Sequence, residues 1–299
     1  MPTILERIKK STVDVCRRTD LTRWQHEPAE PLPCIYGMYH VWCAPGWQTM
    51  VTEQMDRLRR TGLLAHTKTL FVSCITGSGS DADELRTILG SGPIEIISLR
   101  SDSTAFEFPA LDFMYEKSQK EDFLFYYFHA KGISYQCAGD ADRLFRGFNR
   151  KITAWRHMME YFLMDQWRAA VNTLAGGYDT YGCYLFPPFK RIMYAGNFWW
   201  TRSDYFRTLP PLTATTKDNR FMAEEWLLSG HAKAFSAFDT VADLYDVRID
   251  ERQYASGKHS SWQSVRFFCI YTFRKYQKKW FHYSYKHRCQ KRFQQLTSR

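Results

Sequence analysis

The chain has 299 residues, of which 44% are hydrophobic and 17% aromatic, enough for a sizeable core in one large domain or two small ones. It contains no apolar run of about 20 residues, which excludes a membrane-spanning helix, and its N-terminus lacks the apolar core of a signal peptide. The eight cysteines are scattered without a Cys-x-x-Cys pair, so neither a zinc site nor a disulfide framework is indicated. A reduced, cytoplasmic protein is the simplest expectation.

The net charge of +10 is concentrated in the last part of the chain. Residues 257–299 contain 11 lysine or arginine residues and no acidic residue, whereas the rest of the chain contains 30 basic and 31 acidic residues. The excess charge therefore describes a terminal segment and not the body. We predict an arm or linker over residues 1–33, a globular domain over 34–256 and a basic, aromatic, helical tail over 257–299.

The first part of the globular region alternates between predicted strands and helices. Strands are predicted at residues 34–42, 69–75 and 94–99, and helices at residues 47–61 and 81–89. Strand, helix, strand, helix and strand in about 70 residues are typical of βαβ units in a mostly parallel sheet. Tyr39 and His40 lie near the end of the first strand, and Asp102 follows the third.

A further helix, predicted from residue 106, leads into an apolar run at residues 123–128 that stops abruptly at His129. This run predicts a buried central strand that delivers His129, Lys131 and Gly132 to the carboxyl edge of the sheet, where open α/β sheets bind ligands. An imidazole, an ammonium group and a free backbone amide suit a phosphate group. The alternative is a polar turn with a surface lysine.

Beyond this strand, residues 136–150 are polar and are predicted to form a loop over the site, followed by a helix at residues 151–174. Trp155 and Arg156 fall near the start of this helix. Arg156 is either a solvated helix arginine or a clamp for a phosphate or carboxylate group. A strand is expected at residues 181–186.

Gly196 and Asn197 precede Phe198, Trp199 and Trp200. An amide beside aromatic rings suits a sugar, which stacks through its C–H face and hydrogen-bonds through its hydroxyl groups. The alternative is a core strand. Because neighbouring residues on a strand face opposite sides, we expect one of Trp199 and Trp200 in the core and the other at a pocket.

Two adjacent carboxylates, Glu224 and Glu225, lie beside Trp226 in a predicted short helix. A carboxylate next to an indole loses hydration, which raises its proton affinity and makes it a better general base. The alternative is an ordinary solvated pair. His231 follows as a lone histidine, which is more often structural than a ligand.

Several motifs are missing from the sequence. It contains no Gly-x-Gly-x-x-Gly or phosphate-binding P-loop, so nicotinamide cofactors and ATP are not indicated. It also lacks His-Glu-x-x-His and Gly-x-Ser-x-Gly, which leaves metalloprotease and serine hydrolase functions without support.

Taken together, the motifs resemble a group of bacterial glycosyltransferases that are found in capsule, lipopolysaccharide and related surface-polysaccharide gene clusters. The resemblance covers about residues 34–245. It rests on the His40-containing strand and on the motifs Tyr127-Phe-His-Ala-Lys-Gly132, Trp155-Arg-x-x-Met159, Gly196-Asn-Phe-Trp-Trp200 and Glu224-Glu-Trp226. It implies a GT-A-like fold, which is a nucleotide-binding α/β sandwich with a late acidic pair that holds the catalytic base in inverting enzymes.

This resemblance implies transfer of a sugar from a sugar nucleotide to a saccharide acceptor, here expected to be lipid-linked. Glu225 is the first candidate for the base and Glu224 the second, with inversion favoured and retention left open. The expected donor site consists of Tyr39, His40, Asp102, His129, Lys131, Gly132 and Arg156. The expected acceptor or sugar site consists of Trp155, Asn197, Trp199 and Trp200.

The sequence departs from the family pattern at one informative place. GT-A enzymes carry a metal-binding Asp-x-Asp motif at the end of a central strand, where this chain has His129, Ala130 and Lys131. A lysine can neutralise a diphosphate directly, so we expect no metal cofactor. The alternative is a divalent cation held by His129 with His231 or Asp102.

The tail interleaves aromatic and basic residues, a composition that suits an anionic membrane surface. This predicts a peripheral protein at the inner face of the cytoplasmic membrane, and packing of the tail on the body is the alternative. Two rival functions stay open, a non-catalytic scaffold of a polysaccharide-assembly complex and a nucleic-acid-binding protein that uses the tail. The neutral body argues against nucleic acid.

Overall fold

The computed structural model describes residues 15–138, 142–185, 192–255 and 261–297. The chain forms two compact units. The sheet unit comprises Asp20–Ile133 and Met159–Ala237, and the helical unit comprises Met1–Thr19, Ser134–Met158 and Phe238–Arg299. The domain boundaries predicted at residues 34 and 257 do not coincide with the boundaries of these two units.

Nine strands occur in the part of the chain that the structure describes. They are β1 (Cys16–Arg18), β2 (Ile35–Trp42), β3 (Thr69–Ile75), β4 (Ile94–Arg100), β5 (Leu124–His129), β6 (Thr180–Gly182), β7 (Trp199–Arg202), β8 (Ala234–Ser236) and β9 (Phe238–Thr240). Seven of them form the central sheet in the order β4-β3-β2-β5-β7-β6-β8. Strands β2 to β5 are parallel, and β7 runs antiparallel to β5 and β6. The predicted mixed α/β fold with a mostly parallel sheet is confirmed.

The strand order reverses beside β2. Strands β3 and β4 extend the sheet on one side of β2, whereas β5 lies on its other side. The carboxyl ends of β2 and β5 therefore flank a topological switch point, the place where open α/β sheets form a ligand-binding crevice.

The helices follow the strands through the chain. They are α1 (Trp47–Arg60), α2 (Gly79–Leu89), α3 (Phe108–Ser118), α4 (Arg143–Glu160), α5 (Trp167–Ala175), α6 (Ser203–Phe206), α7 (Ala214–Lys217), α8 (Met222–Glu225), α9 (Glu251–Tyr254), α10 (Ser261–Phe281) and α11 (Tyr285–Thr297). A π-helical turn, Tyr161–Asp165, separates α4 from α5. Short 3-10 helices include Ser103–Ala105, Ile133–Ala138 and Trp226–Leu228.

Local sequence explains why the best-predicted elements form. In α1, Met50, Val51, Met55 and Leu58 recur at helical spacing and are all buried, while Gly62 takes a φ of +77° just past the helix end. In β5 the aromatic residues alternate between two buried faces. Phe125 and Tyr127 join the core that contains α3 and the Trp226 ring, so this strand is buried on both sides as predicted.

The region between β5 and β6 differs from the prediction. Residues 136–150 were expected to form a loop, but residues 133–138 form a 3-10 helix and α4 already begins at Arg143; residues 139–141 lie outside the described residues. Asp142 explains the early start, because its carboxylate accepts a hydrogen bond from the Phe145 amide at 2.9 Å in the manner of an N-cap. The strand expected at residues 181–186 is shorter, and Phe186 also lies outside the described residues.

The helical unit contains a core of its own. Phe145, Phe148 and Ile152 of α4 pack with Tyr285 and Cys289 of α11. The predicted helical tail is confirmed as α10 and α11, and α11 packs within the unit. Part of the predicted arm is also ordered, since β1 pairs antiparallel with β9, while residues 1–14 lie outside the described range. Among the described helices, none is long and apolar enough to cross a membrane.

Candidate functional site at the switch point

His40 and His129 are paired neighbours at the carboxyl ends of β2 and β5. After β5 the chain turns sharply, with the Lys131 amide donating to the His129 carbonyl at 2.7 Å. Gly132 has a φ of +85°, a conformation that glycine adopts without strain. The predicted His-Ala-Lys-Gly turn thus lies at the switch point, and the Lys131 ammonium is close enough to influence the pKa of His129.

The His129 ring lies between a backbone carbonyl and a carboxylate. Its Nε2 donates to the Gly196 carbonyl at 2.9 Å, and its Nδ1 lies 3.7 Å from Oε1 of Glu107. The pKa of His129 is lowered to about 4, chiefly by burial and also by the Lys131 charge, while the Gly196 carbonyl and the Glu224 carboxylate act in the opposite direction. The ring is therefore neutral at neutral pH, and its Nδ1 lone pair faces a carboxylate oxygen, so a donor group of a ligand would satisfy both.

Glu107 was not among the residues predicted for the site. It directly precedes α3, and its side chain is only 16% exposed. The available signal was a single acidic residue between Phe106 and Phe108, just before the proline that begins a helix. That pattern marks a helix start but does not show that the carboxylate turns toward the end of β5.

Asn197 holds Glu107 in place. Its Nδ2 donates to Oε2 of Glu107 at 2.5 Å and to the Ala223 carbonyl at 3.3 Å, and its Oδ1 accepts from Nε1 of Trp199 at 2.7 Å. The residue is 1% exposed and has a φ of +59°. Asn197 was expected to bind a sugar, but its amide is occupied by protein groups, so it positions Glu107 and α8.

Two more polar groups are buried near Glu107. His40 Nδ1 has no hydrogen-bond partner among the described residues, whereas the Tyr127 hydroxyl interacts with the Glu107 carboxylate. Burial lowers the pKa of His40 to about 4, with Glu107 opposing and His129 adding to the decrease. Burial also raises the pKa of Tyr127 well above its ordinary value, and the Glu107 and Glu224 charges add to this increase. Buried polar atoms normally find a partner, so His40 Nδ1 favours a polar ligand group or water at this place.

The acidic pair sits at the end of α8. Glu224 is the member whose charge acts on both His129 and Tyr127. Glu225 is its neighbour and is half-buried. The Asn197 bond to Ala223 ties this short helix to the switch point. Trp226 points into the core, where its Nε1 donates to the Pro210 carbonyl at 2.8 Å.

Three aromatic residues lie elsewhere than predicted. Tyr39 was assigned to the nucleotide base, but it is fully buried, stacks on Phe128 at 4.1 Å and donates to Gln54 at 2.6 Å. Since strand neighbours face opposite sides, Tyr39 points away from His40. Trp199 and Trp200 are both buried, contrary to the expectation that one would line a pocket. Both faces of β7 are covered, and the Trp200 Nε1 donates to the Leu163 carbonyl at 2.9 Å.

Trp155 and Arg156 belong to the helical unit. Trp155 is buried and packs edge-on against Tyr245, with 5.1 Å between ring centroids. Arg156 is also buried and donates to Nε2 of His157 at 3.3 Å. A buried arginine in this setting differs from the solvated helix arginine that was the alternative expectation.

Asp102 and His231 lie at other strands. Asp102 follows β4, is exposed, and accepts from the Thr104 amide at 2.8 Å; the Thr104 hydrogen bonds lower its pKa. Since β4 and β5 are separated by two strands, their ends are roughly 14 Å apart. His231 is exposed and precedes β8, on the other side of the sheet order.

Of the side chains at the end of β5 and in the turn after it, His129 can bind a metal ion and Lys131 cannot while it is protonated. Within the described ranges, no three His, Cys, Asp or Glu side chains come together in a way that could hold a metal ion. Lys131 lies two residues after His129, and its ammonium group would repel a cation.

The solved structures that this chain resembles include the following two. One is 4-diphosphocytidyl-2C-methyl-D-erythritol synthase from Anaerococcus prevotii, with a TM-score of 0.36, 9% identity, and coverage of 81% of this chain and 99% of that one. The other is a protein assigned as a nucleotide-diphospho-sugar transferase from Desulfovibrio desulfuricans, with a TM-score of 0.34, 12% identity, and coverage of 81% and 95%. Likeness at this level carries no argument about activity. No protein-family model and no curated protein matches the chain, so the resemblance to surface-polysaccharide glycosyltransferases stays a prediction.

Proposed function

We propose that the protein is a glycosyltransferase that moves a sugar from a sugar nucleotide to a saccharide acceptor. One observation carries the proposal. The chemistry-bearing residues His40, His129, Lys131, Glu107 and Glu224 gather where the strand order reverses, which is where open α/β sheets bind nucleotides. A lipid-linked saccharide at the cytoplasmic face of a membrane is the acceptor that we expect.

Lys131 is the proposed partner of the donor diphosphate. It follows the end of β5 in a sharp turn, and its charge already lowers the pKa of the neighbouring His129. The positive φ of Gly132 brings a backbone without a side chain beside it. An ammonium at this edge stabilises the negative charge that develops on the leaving nucleoside diphosphate, the task that a metal ion performs in Asp-x-Asp enzymes.

Glu107 and His129 are the proposed contacts for the donor sugar. Glu107 is fixed by Asn197, and one of its oxygens faces His129 Nδ1 across 3.7 Å. Both groups accept hydrogen bonds when His129 is neutral, so sugar hydroxyl groups, which donate, match them. Buried acceptors of this kind reject ligands that lack the hydroxyl group.

The proposed chemical step is direct displacement with inversion. An acceptor hydroxyl oxygen forms the new bond to the anomeric carbon, the bond from that carbon to the diphosphate oxygen breaks, and the hydroxyl proton passes to a carboxylate. Glu225 was the first candidate for this base from the sequence. The influence of Glu224 on His129 and Tyr127 supports Glu224, so the two residues are tested side by side.

Donor binding is tested by thermal unfolding with a panel of sugar nucleotides. A ligand at about 100 times its Kd stabilises the native state by about 2.7 kcal/mol, which corresponds to a rise in Tm of roughly 5 °C for a chain of this size. We expect one donor to produce this shift with EDTA present, and Lys131→Ala to abolish it. The matched control is Lys120→Ala, an exposed lysine after α3. No shift with any sugar nucleotide would refute the proposed function.

Catalysis is tested with Glu224→Gln and Glu225→Gln, with the exposed Glu116→Gln as control. Loss of a general base lowers turnover by about 10²- to 10⁴-fold. The base is the residue whose amide variant loses turnover while keeping the donor-induced Tm shift. NMR of the product reports the anomeric configuration. A retained configuration, or full turnover in both variants, contradicts the inverting mechanism.

A further inference from the structure

Helix α10 in the helical unit exposes an apolar stripe to solvent. Its members are Trp262, Val265, Cys269, Phe273, Tyr276 and Trp280, and they follow one another at intervals of three or four residues. Such intervals place side chains on one face of a helix. The stripe spans about 27 Å along the helix.

The exposure of these side chains is large for apolar residues. Trp262 is 74% exposed and Trp280 is 64% exposed, and Phe281 at the helix end reaches 76%. Phe267, about 140° around the helix from Trp262, is buried, so α10 packs through its opposite side. Tyr276 and Trp280 contact each other with 4.6 Å between ring centroids. A contiguous exposed patch of this kind marks an interaction surface.

The charge around the stripe is positive. Arg266, Lys275, Lys278 and Lys279 are exposed residues of the same helix, and residues 257–299 contain no acidic side chain at all. A second copy of the chain would present the same positive charge, which disfavours pairing of two such faces. A membrane of phosphate-bearing lipids complements this face, because its negative headgroups match the basic residues and its apolar interior can bury the stripe.

We propose that α10 binds to the surface of an anionic membrane, with the axis of the helix in the plane of the interface and the stripe inserted among the lipids. Trp262 and Trp280 anchor the two ends, since indole rings favour the boundary between headgroups and acyl chains. Arg266, Lys275 and Lys279 pair with lipid phosphates beside the stripe. This inference rests on the helical unit alone and holds whether or not the sheet unit transfers a sugar.

The test is flotation of the full chain with vesicles of phosphatidylcholine alone or with about 30% phosphatidylglycerol. We expect binding to the anionic vesicles that weakens by at least about tenfold with neutral vesicles or at about 0.5 M salt, because salt screens the charges. The double variant Trp262→Ala/Trp280→Ala is expected to bind the anionic vesicles at least about tenfold more weakly. The matched control is Trp42→Ala, which removes an exposed tryptophan at the end of β2.

A second variant separates charge from insertion. Lys275→Glu/Lys279→Glu should lose most binding to anionic vesicles, since each basic residue near the surface contributes roughly fivefold. Both double variants change exposed positions, so circular dichroism should report an unchanged fold. Equal vesicle binding by the wild-type chain and the tryptophan variant would overturn the proposal. Binding to DNA without binding to vesicles, or dimerisation that the tryptophan variant abolishes, would equally replace the membrane by another partner.

Discussion

Replacement of Asn197 by alanine tests whether this residue clamps the switch point. The change removes the two hydrogen bonds that Nδ2 donates to Glu107 and Ala223 and the one that Oδ1 accepts from Trp199. The buried indole N–H of Trp199 loses its partner, which costs about 1–3 kcal/mol, and the bond to the Glu107 carboxylate contributes about 1.5–3 kcal/mol. Alanine at a φ of +59° adds about 1 kcal/mol of backbone strain. We expect a total loss on the order of 4–6 kcal/mol.

The assay is urea unfolding of the full chain at neutral pH, which gives the midpoint of the transition and the dependence of the unfolding free energy on urea concentration. Asn197→Gly is the informative companion, because glycine accepts the positive φ but lacks the amide. It should recover about 1 kcal/mol of the loss and no more. A loss of less than about 1 kcal/mol in Asn197→Ala, or wild-type stability in Asn197→Gly, would show that the side chain does not clamp the switch point.

Two further stability predictions follow. The pKa of His129 is lowered to about 4 in the folded state from an ordinary value of about 6.5, so on acidification the unfolded state binds this proton first. The contribution of His129 to the free energy of unfolding is therefore complete above pH 6.5 and falls by up to about 3 kcal/mol as the pH drops toward 4. His129→Gln should reduce the acid loss in urea unfolding at several pH values and leave the part that His40 contributes, whereas the exposed His287→Gln should leave the whole loss in place. At Gly37 an added Cβ would lie 2.5 Å from Cζ of Tyr126, so Gly37→Ala should lower the unfolding free energy by about 2–3 kcal/mol. Gly77→Ala, with no atom within 4 Å of the added Cβ, should change it by less than about 0.5 kcal/mol, and an equal effect at the two glycines would contradict the packing argument.

The elements with a regular hydrophobic pattern were predictable from the sequence. The bounds of β3 were predicted without error, and those of α1 to within one residue. The strand has an uninterrupted apolar run and the helix has apolar residues at helical spacing, and each pattern stops at a turn or a residue with positive φ. The start of α4 was missed for a physical reason. Phe145, Phe148 and Ile152 already have helical spacing, but Gly147 and two arginines between them give the segment the composition of a loop.

The contacts of the candidate site were harder to predict than its location. The carboxyl edge near His129 followed from the strand pattern, since every parallel strand ends at that edge. The Glu107–Asn197 bond joins residues 90 positions apart, and nothing local in either segment encodes it. The positive φ of Asn197 is equally invisible in the sequence, because asparagine only tolerates that conformation and does not require it.

The hydrogen bond from His129 to the Gly196 carbonyl fixes which ring nitrogen of the imidazole carries the hydrogen. A carbonyl oxygen can only accept, so Nε2 must keep its hydrogen, and the ring exchanges protons through Nδ1 alone. Nδ1 faces the Glu107 carboxylate, and in the neutral ring both groups are hydrogen-bond acceptors that repel each other. Protonation of Nδ1 in acid would turn this repulsion into an ion pair between His129 and Glu107. The backbone turn at Gly196 thereby selects one tautomer, and ¹⁵N chemical shifts of the ring should report a single Nε2–H form throughout the neutral range.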